Sequence, residues 1–180
     1  MRSCCAAAKT VSGPPGPQGP FKSSAYFKME LVSDDDLPIA PSPGSTVVPL
    51  QTVLVNQGGG LADATNYWYV VPATGPYHFD FNAVLSDAGT GPALNAQVTL
   101  ALELGSIALA VPQMQVLAFK TSFSGVREEQ KAIAGRATLE LAAGQTVRLT
   151  LKNEAGNNTS FIANSTNFPG GTFLSGFALF

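Results

Sequence analysis

One histidine, His78, and two cysteines, Cys4 and Cys5, set narrow limits on the chemistry this chain can do. Nucleophilic catalysis needs a base held beside a hydroxyl or thiol, with a third group to orient it. The cysteines are adjacent near the N-terminus, His78 sits in "PYHFDF", and no nucleophile elbow occurs. The expectation is therefore a protein that is not an enzyme, with His78 at a surface or an interface. Zinc wants clustered Cys and His ligands, and no such cluster occurs. Calcium is the better question, because Asp34, Asp35 and Asp36 offer hard oxygen ligands in a proline-rich loop. Three consecutive carboxylates cannot all aim at one ion, however, and the EF-hand pattern is missing; a solvated turn explains them equally.

A second polar segment, "KNEAGNNTSFIANSTNF", is dense in Asn, Ser and Thr. Asn157, Asn158, Thr159, Ser160 and Asn164 are the candidates for contact with a receptor or a sugar, since such side chains hydrogen-bond adaptably. Asn157, Asn158 and Asn164 also head N-x-S/T glycosylation patterns, which matter only in a eukaryotic secretory pathway. "NQGGG" follows a strand-like run but lacks the Lys and the helix of a phosphate-binding loop.

These residues must be positioned by a chain of 180 residues, enough for one domain and a short tail. Charged residues make up 12% of it, about half the usual share, so its surface is neutral polar or covered by partners. The net charge is −2 with no basic stripe, which argues against nucleic-acid binding. No Lys or Arg occurs between Lys28 and Lys120, whereas cations outnumber anions from Lys120 onward; this is either chance in a chain with few charges or, in an assembly, attraction between opposite faces of neighbouring copies. No apolar run reaches the roughly 18 residues of a membrane span, so no membrane insertion is expected. The start "MRSCCAAAKTV" lacks the long apolar core of a secretory signal. Either the chain is a piece of a longer one, or it is released by lysis, as virion and spore-coat components are.

Residues 1–22 read as a tail containing "GPPGPQGP". Gly13, Gly16 and Gly19 keep the period that a collagen triple helix needs, because only glycine fits on its axis. So few triplets cannot hold three chains together alone, and they imply a neighbouring domain that trimerises. Adjacent Cys4 and Cys5 cannot staple that domain internally, since a bridge between them would be strained. They cross-link chains in an oxidising place or stay reduced in the tail.

From residue 23 onward the chain reads as short strands punctuated by turns. "SAYFKMEL" alternates apolar and polar; so does "YHFDFN", placing Tyr77, Phe79 and Phe81 on one side and His78, Asp80 and Asn82 on the other. "AQVTLALELGSIALAVPQMQVLAFKT" supplies at least two strands, and "GRATLELAAGQTVRLTLKN" a hairpin-like pair about Ala143, Gly144 and Gln145. Helical periodicity is nearly absent, so the pattern is that of a β-sandwich.

At "LVNQGGGLADATNYWYVVPATGPYHFDF" the sequence resembles the C1q-like globular head of the C1q and tumour-necrosis-factor superfamily. Asn56 and the glycines after it match that family's central motif, as does the spacing from Pro72 through Gly75 and Tyr77 to Phe79. "LELAAGQTVRLTL" resembles its strand, turn and strand, and "TFLSGFALF" its terminal strand, through Phe173, Gly176 and Phe177. The resemblance spans residues 23–180, and collagen-like triplets before such a head are the family's usual layout.

It implies an all-β, ten-stranded antiparallel jelly-roll sandwich packed as a homotrimer, with Tyr67, Tyr69, Tyr77, Phe79 and Phe177 as core or interface. Some members bind calcium near the top of the trimer. The function it implies is a recognition or adhesion head on a collagen-like stalk, outside the cell or on a particle surface, binding a receptor or carbohydrate through apical loops or inter-subunit grooves. The alternative is a purely structural trimerisation head of a phage tail fibre or spore-surface filament.

Overall fold

The computed structural model describes residues 25–32, 39, 45–87, 97–107, 109–122, 130–154, 161–163 and 171–180. The N-terminal tail with its triplets and cysteines, Asp34 to Asp36, and Asn157, Asn158, Thr159, Ser160 and Asn164 lie outside the described residues.

Two antiparallel sheets face each other. In the first, β6 (Gly75–Asp87) is central, with β9 (Gln130–Leu141) along one edge. Its other edge is shared by β12 (Phe173–Ala178) and the short β11 (Phe161–Ala163), and β1 (Tyr26–Glu30) and β3 (Thr52–Gln57) continue outward from β12. The second sheet runs β4 (Leu61–Asp63), β5 (Trp68–Val70), β10 (Gln145–Asn153), β7 (Gln97–Ser106), β8 (Leu109–Ser122), with the two-residue β2 (Thr46–Val47) also on β10. Five strands per sheet make the jelly roll that was expected, and β2 and β11 are short additions to it. The chain crosses between the sheets from β3 to β4, β5 to β6, β6 to β7, β8 to β9, β9 to β10 and β10 to β11, and touches the second sheet through β2 between β1 and β3.

The crossing from β9 to β10 corrects one reading. β9 and β10 are not a hairpin, although their alternation and the turn between them look like one. β9 pairs with β6 in the first sheet, while β10 pairs with β5 and β7 in the second. The turn at Ala142–Gln145 is closed by Gln145 N donating to Ala142 O and is fastened to its neighbours by Gly144 N to Val71 O and Ala143 N to Thr74 Oγ1. Gly144 has φ of 82°, the left-handed backbone that glycine adopts without penalty. Pro112 is tolerated because β8 is an edge strand.

Period-2 alternation decides what is buried. Phe27, Met29, Tyr77, Phe79, Phe81, Leu85 and Leu174 point from the first sheet toward Tyr69, Leu100, Leu102, Val147, Leu149 and Leu151 of the second, and all are buried. The centre is aromatic: the Phe27 and Tyr69 rings stack at 3.8 Å and 7°, and Phe79 meets Phe27 edge-on at 6.2 Å. Gly60 is required beside them, since a methyl group there would overlap the Tyr69 hydroxyl.

That hydroxyl is buried with no hydrogen-bond partner, and burial pushes the Tyr69 phenol well above the usual tyrosine range. An unpaired buried hydroxyl costs about 1–3 kcal/mol. Tyr69→Phe keeps the stack and removes the orphan, so its thermal midpoint is expected to equal or exceed that of the wild type. A fall of several degrees in a melting scan would show that the hydroxyl is satisfied.

Candidate functional site

The outward face of the first sheet can be laid out row by row from its register. The first row runs Thr138, His78, Phe177, Tyr26, Gln57, and the second Arg136, Asp80, Ser175, Lys28, Val55. The third runs Ala134, Asn82, Phe173, Glu30, Thr52. A sheet face that met only water would carry few aromatics, yet this one has Tyr26, Phe173 and Phe177, with Tyr26 36% exposed and the two phenylalanines half-buried.

His78 belongs to this face. Its Nδ1 lies 2.9 Å from Thr138 Oγ1, its Nε2 lies 3.6 Å from Asp80 Oδ2, and its ring packs 5.3 Å from that of Phe177. Hydroxyl, imidazole and carboxylate in line resemble a proton relay, but the geometry fails as a catalytic one. The carboxylate is beyond hydrogen-bond range of the imidazole and is shared with Arg136, 3.8 Å away. The neighbouring backbone N–H groups belong to a sheet paired on both sides of β6, which leaves no free donor pair there for an oxyanion. Lys28 lies over the Phe173 ring at 5.2 Å and 3.9 Å from Glu30.

Near the β9 margin this face is hollowed into a groove of about 580 Å3, lined by Asp80, Asn82, Arg136, Phe173 and the small Ala132 and Ala134, with Phe81 and Phe119 beneath.

The outward face of the second sheet carries closer ion pairs. Arg148 pairs with Glu103 at 3.3 Å with both side chains under one-fifth exposed, and Thr150 Oγ1 donates to Glu103 Oε1 at 2.9 Å. Thr99 Oγ1 donates to Glu154, which also pairs with Lys152 at 3.4 Å.

Of the residues singled out in the sequence, Tyr69, Tyr77 and Phe79 lie in the core, and Phe177 is on the outward face. Tyr67 is not among the buried core residues; it ends the turn between β4 and β5 with φ of 59°. Asp63 builds that turn, its Oδ1 accepting from Thr65 N at 2.8 Å and Asn66 N at 3.0 Å, its Oδ2 from Asn66 Nδ2 at 2.7 Å. The Asn66 amide, followed by the backbone N–H groups, holds the Asp63 carboxyl below the usual carboxylate range. Its contribution is thus complete above the ordinary carboxylate pKa and is lost as pH falls through the lower folded value. Asp63→Ala is expected to lose about 0.5–1 kcal/mol at pH 7, the size of an exposed cap, and the gap to the wild type should close below about pH 4. Denaturant titrations at the two pH values measure this.

Sequence reasoning missed Arg136, Asn82 and Phe173 as a group, because their meeting depends on a pairing between distant strands. The signal available was the run "KAIAGRA", whose outward positions on a strand are small up to Arg136.

No helix among the described residues is long and apolar enough to cross a membrane, and no three His, Cys, Asp or Glu side chains among them gather to hold a metal. No family model and no curated protein matches the sequence. Solved structures do match. The globular domain of a zebrafish complement 1qA protein superposes with a TM-score of 0.55 at 16% identity over 87% of this chain and 98% of its own. The Eiger tumour necrosis factor of S. frugiperda gives 0.61 at 14% identity over 86% and 92%. Murine APRIL gives 0.57 at 13% identity over 86% and 98%. The likeness is one of fold: the chain is a C1q/TNF-like jelly roll.

Proposed function

We propose that this C1q/TNF-like domain is a non-enzymatic recognition head that assembles as a homotrimer through the outward face of its first sheet. The observation that carries the reading is the aromatic content of the first sheet's outward face. It presents Tyr26, 36% exposed, with half-buried Phe173 and Phe177 on rigid strands. Rigid aromatics in a flat, ordered face are what a subunit contact uses.

The polarity of the fold supports presentation at a distance. Ala178 N donates to Ala25 O, so the entry to β1 lies beside the end of β12, near the turns at 71–74 and 142–145. Glu154, bonded to Gln97 O, and Thr172, whose carbonyl accepts from Leu31 N, lie at the opposite end. The Asn-rich segment joins the chain there, and residues 1–22 join at residue 25. A collagen-like stalk would hold the head by one end and leave Asn157, Asn158, Thr159, Ser160 and Asn164 toward a receptor or glycan at the other. Three equivalent copies would add avidity. Such a protein works outside the cell or on a particle surface.

Sedimentation equilibrium of the full chain, with and without a chelator, is the test. A trimer that survives chelation supports the reading. A monomer would overturn it, and a trimer lost on chelation would move calcium at Asp34 to Asp36 to the centre.

A further inference from the structure

His78 is the chain's one histidine, and histidine is the side chain whose ordinary proton uptake falls between about pH 5 and 8. β6 carries it to the outward face of the first sheet, where its side chain is 25% exposed. Its row across the sheet, Thr138, His78, Phe177, Tyr26 and Gln57, contains no charged group. A neutral imidazole suits that row. Nδ1 shares a hydrogen bond with the Thr138 hydroxyl at 2.9 Å, and the ring lies against Phe177 at 5.3 Å.

An imidazolium in the same place lacks a counter-charge of its own. On β6 the nearest carboxylate is Asp80, 3.6 Å from Nε2, and it is already shared with Arg136 of β9 at 3.8 Å. β9 also turns Glu140 outward, an exposed residue two positions beyond Thr138 and paired in register with Pro76. β12 presents no charge there, only Phe173, Ser175 and Phe177. β1 brings Tyr26, and Lys28 with Glu30, whose charges lie 3.9 Å apart and cancel. On a single subunit, a protonated His78 is solvated by water. Enclosed between subunits, it loses that water without gaining an unshared partner, and the symmetry of a trimer repeats the cost in every copy.

We infer that His78 makes the trimer pH-sensitive: the subunits hold together while its ring is neutral and separate when it is protonated. This rests on the reading that the first sheet's outward face is the subunit contact, and it adds a regulation of that contact. The sign follows from linkage. Protonation favours the state in which the ring meets water, so assembly is complete above histidine's ordinary range and is lost as pH falls through it. The avidity of three copies is lost with it, which releases a multivalent ligand in acid.

The test is sedimentation equilibrium of the full chain at about pH 7.5 and about pH 5.5, a window that lies above the ordinary carboxylate range. The apparent trimer dissociation constant is expected to rise by about a hundredfold or more at the lower pH, since each copy takes up a proton on separation. His78→Gln and His78→Leu remove the titrating ring, the first keeping a polar group beside Thr138 and the second an apolar one. Both are expected to stay trimeric at either pH. Far-ultraviolet circular dichroism follows the strands in every sample.

A wild-type trimer equally tight at both pH values overturns this inference alone. So does one that tightens in acid, which would mean that the neighbouring subunit supplies a carboxylate. Variants that dissociate in acid as the wild type does also overturn it, as does loss of the β spectrum at the lower pH, which is unfolding rather than separation. A monomer at both pH values overturns the assembly reading itself.

Discussion

Phe177→Glu is expected to turn a trimer of the full chain into a folded monomer at micromolar concentration. Phe177 points outward from β12 between His78 and Tyr26, while its chain neighbours Gly176 and Ala178 face the core. The substitution therefore leaves the interior of the sandwich untouched. In the proposed assembly it places one carboxylate per subunit within an apolar contact, and each costs several kcal/mol to desolvate without a partner. Phe177→Leu keeps the contact apolar and should remain trimeric. Sedimentation gives the state, and far-ultraviolet circular dichroism shows that the strands persist. A Phe177→Glu protein that stays trimeric with wild-type stability would place the contact elsewhere, with the second sheet as the next candidate.

Phe27→Ala is expected to have the largest effect on stability. Phe27 is completely buried, stacks on Tyr69 of the opposite sheet and meets Phe79 edge-on, so it ties the two sheets together at their centre. Its ring also fills the space left by Gly176, where a Cβ would come 2.8 Å from Phe27 Cε1 and 2.7 Å from Phe79 Cδ1. Truncating a buried phenylalanine costs about 3–5 kcal/mol through lost transfer energy and the cavity left behind. For a domain of this size that lowers the thermal midpoint by about 6–20 °C. The comparison must hold protein concentration fixed, since assembly adds to apparent stability. A loss below about 1 kcal/mol would mean that the core collapses to fill the space, contrary to a rigid stack between two sheets.

The same two residues show how far the sequence could be read. Alternation in "PYHFDFN" put Phe79 and His78 on opposite sides, and the alternation of "SAYFKMEL" fits the inward Phe27 and outward Tyr26 of the structure, because side chains of a strand take opposite faces whatever the partner. The matches in "LVNQGGG" and "TFLSGFALF" named the jelly roll, and the structure supplies a physical reason for one glycine in each. Gly60 makes room for Tyr69, and Gly176 lies beneath Phe27 and Phe79.

Local pattern thus determined the strands, their buried sides and the fold. Which strand lies beside which was decided only in three dimensions. The β9 and β10 segments have the alternation and turn of a hairpin, yet they part to opposite sheets, β9 along β6 and β10 between β5 and β7. The groove follows from that separation. Arg136 meets Asp80, and Ala134 meets Asn82, only through the pairing of β9 with β6. A strand's own sequence sets its period, but its neighbours are chosen by the packing of the whole sandwich, where one apolar face must find another.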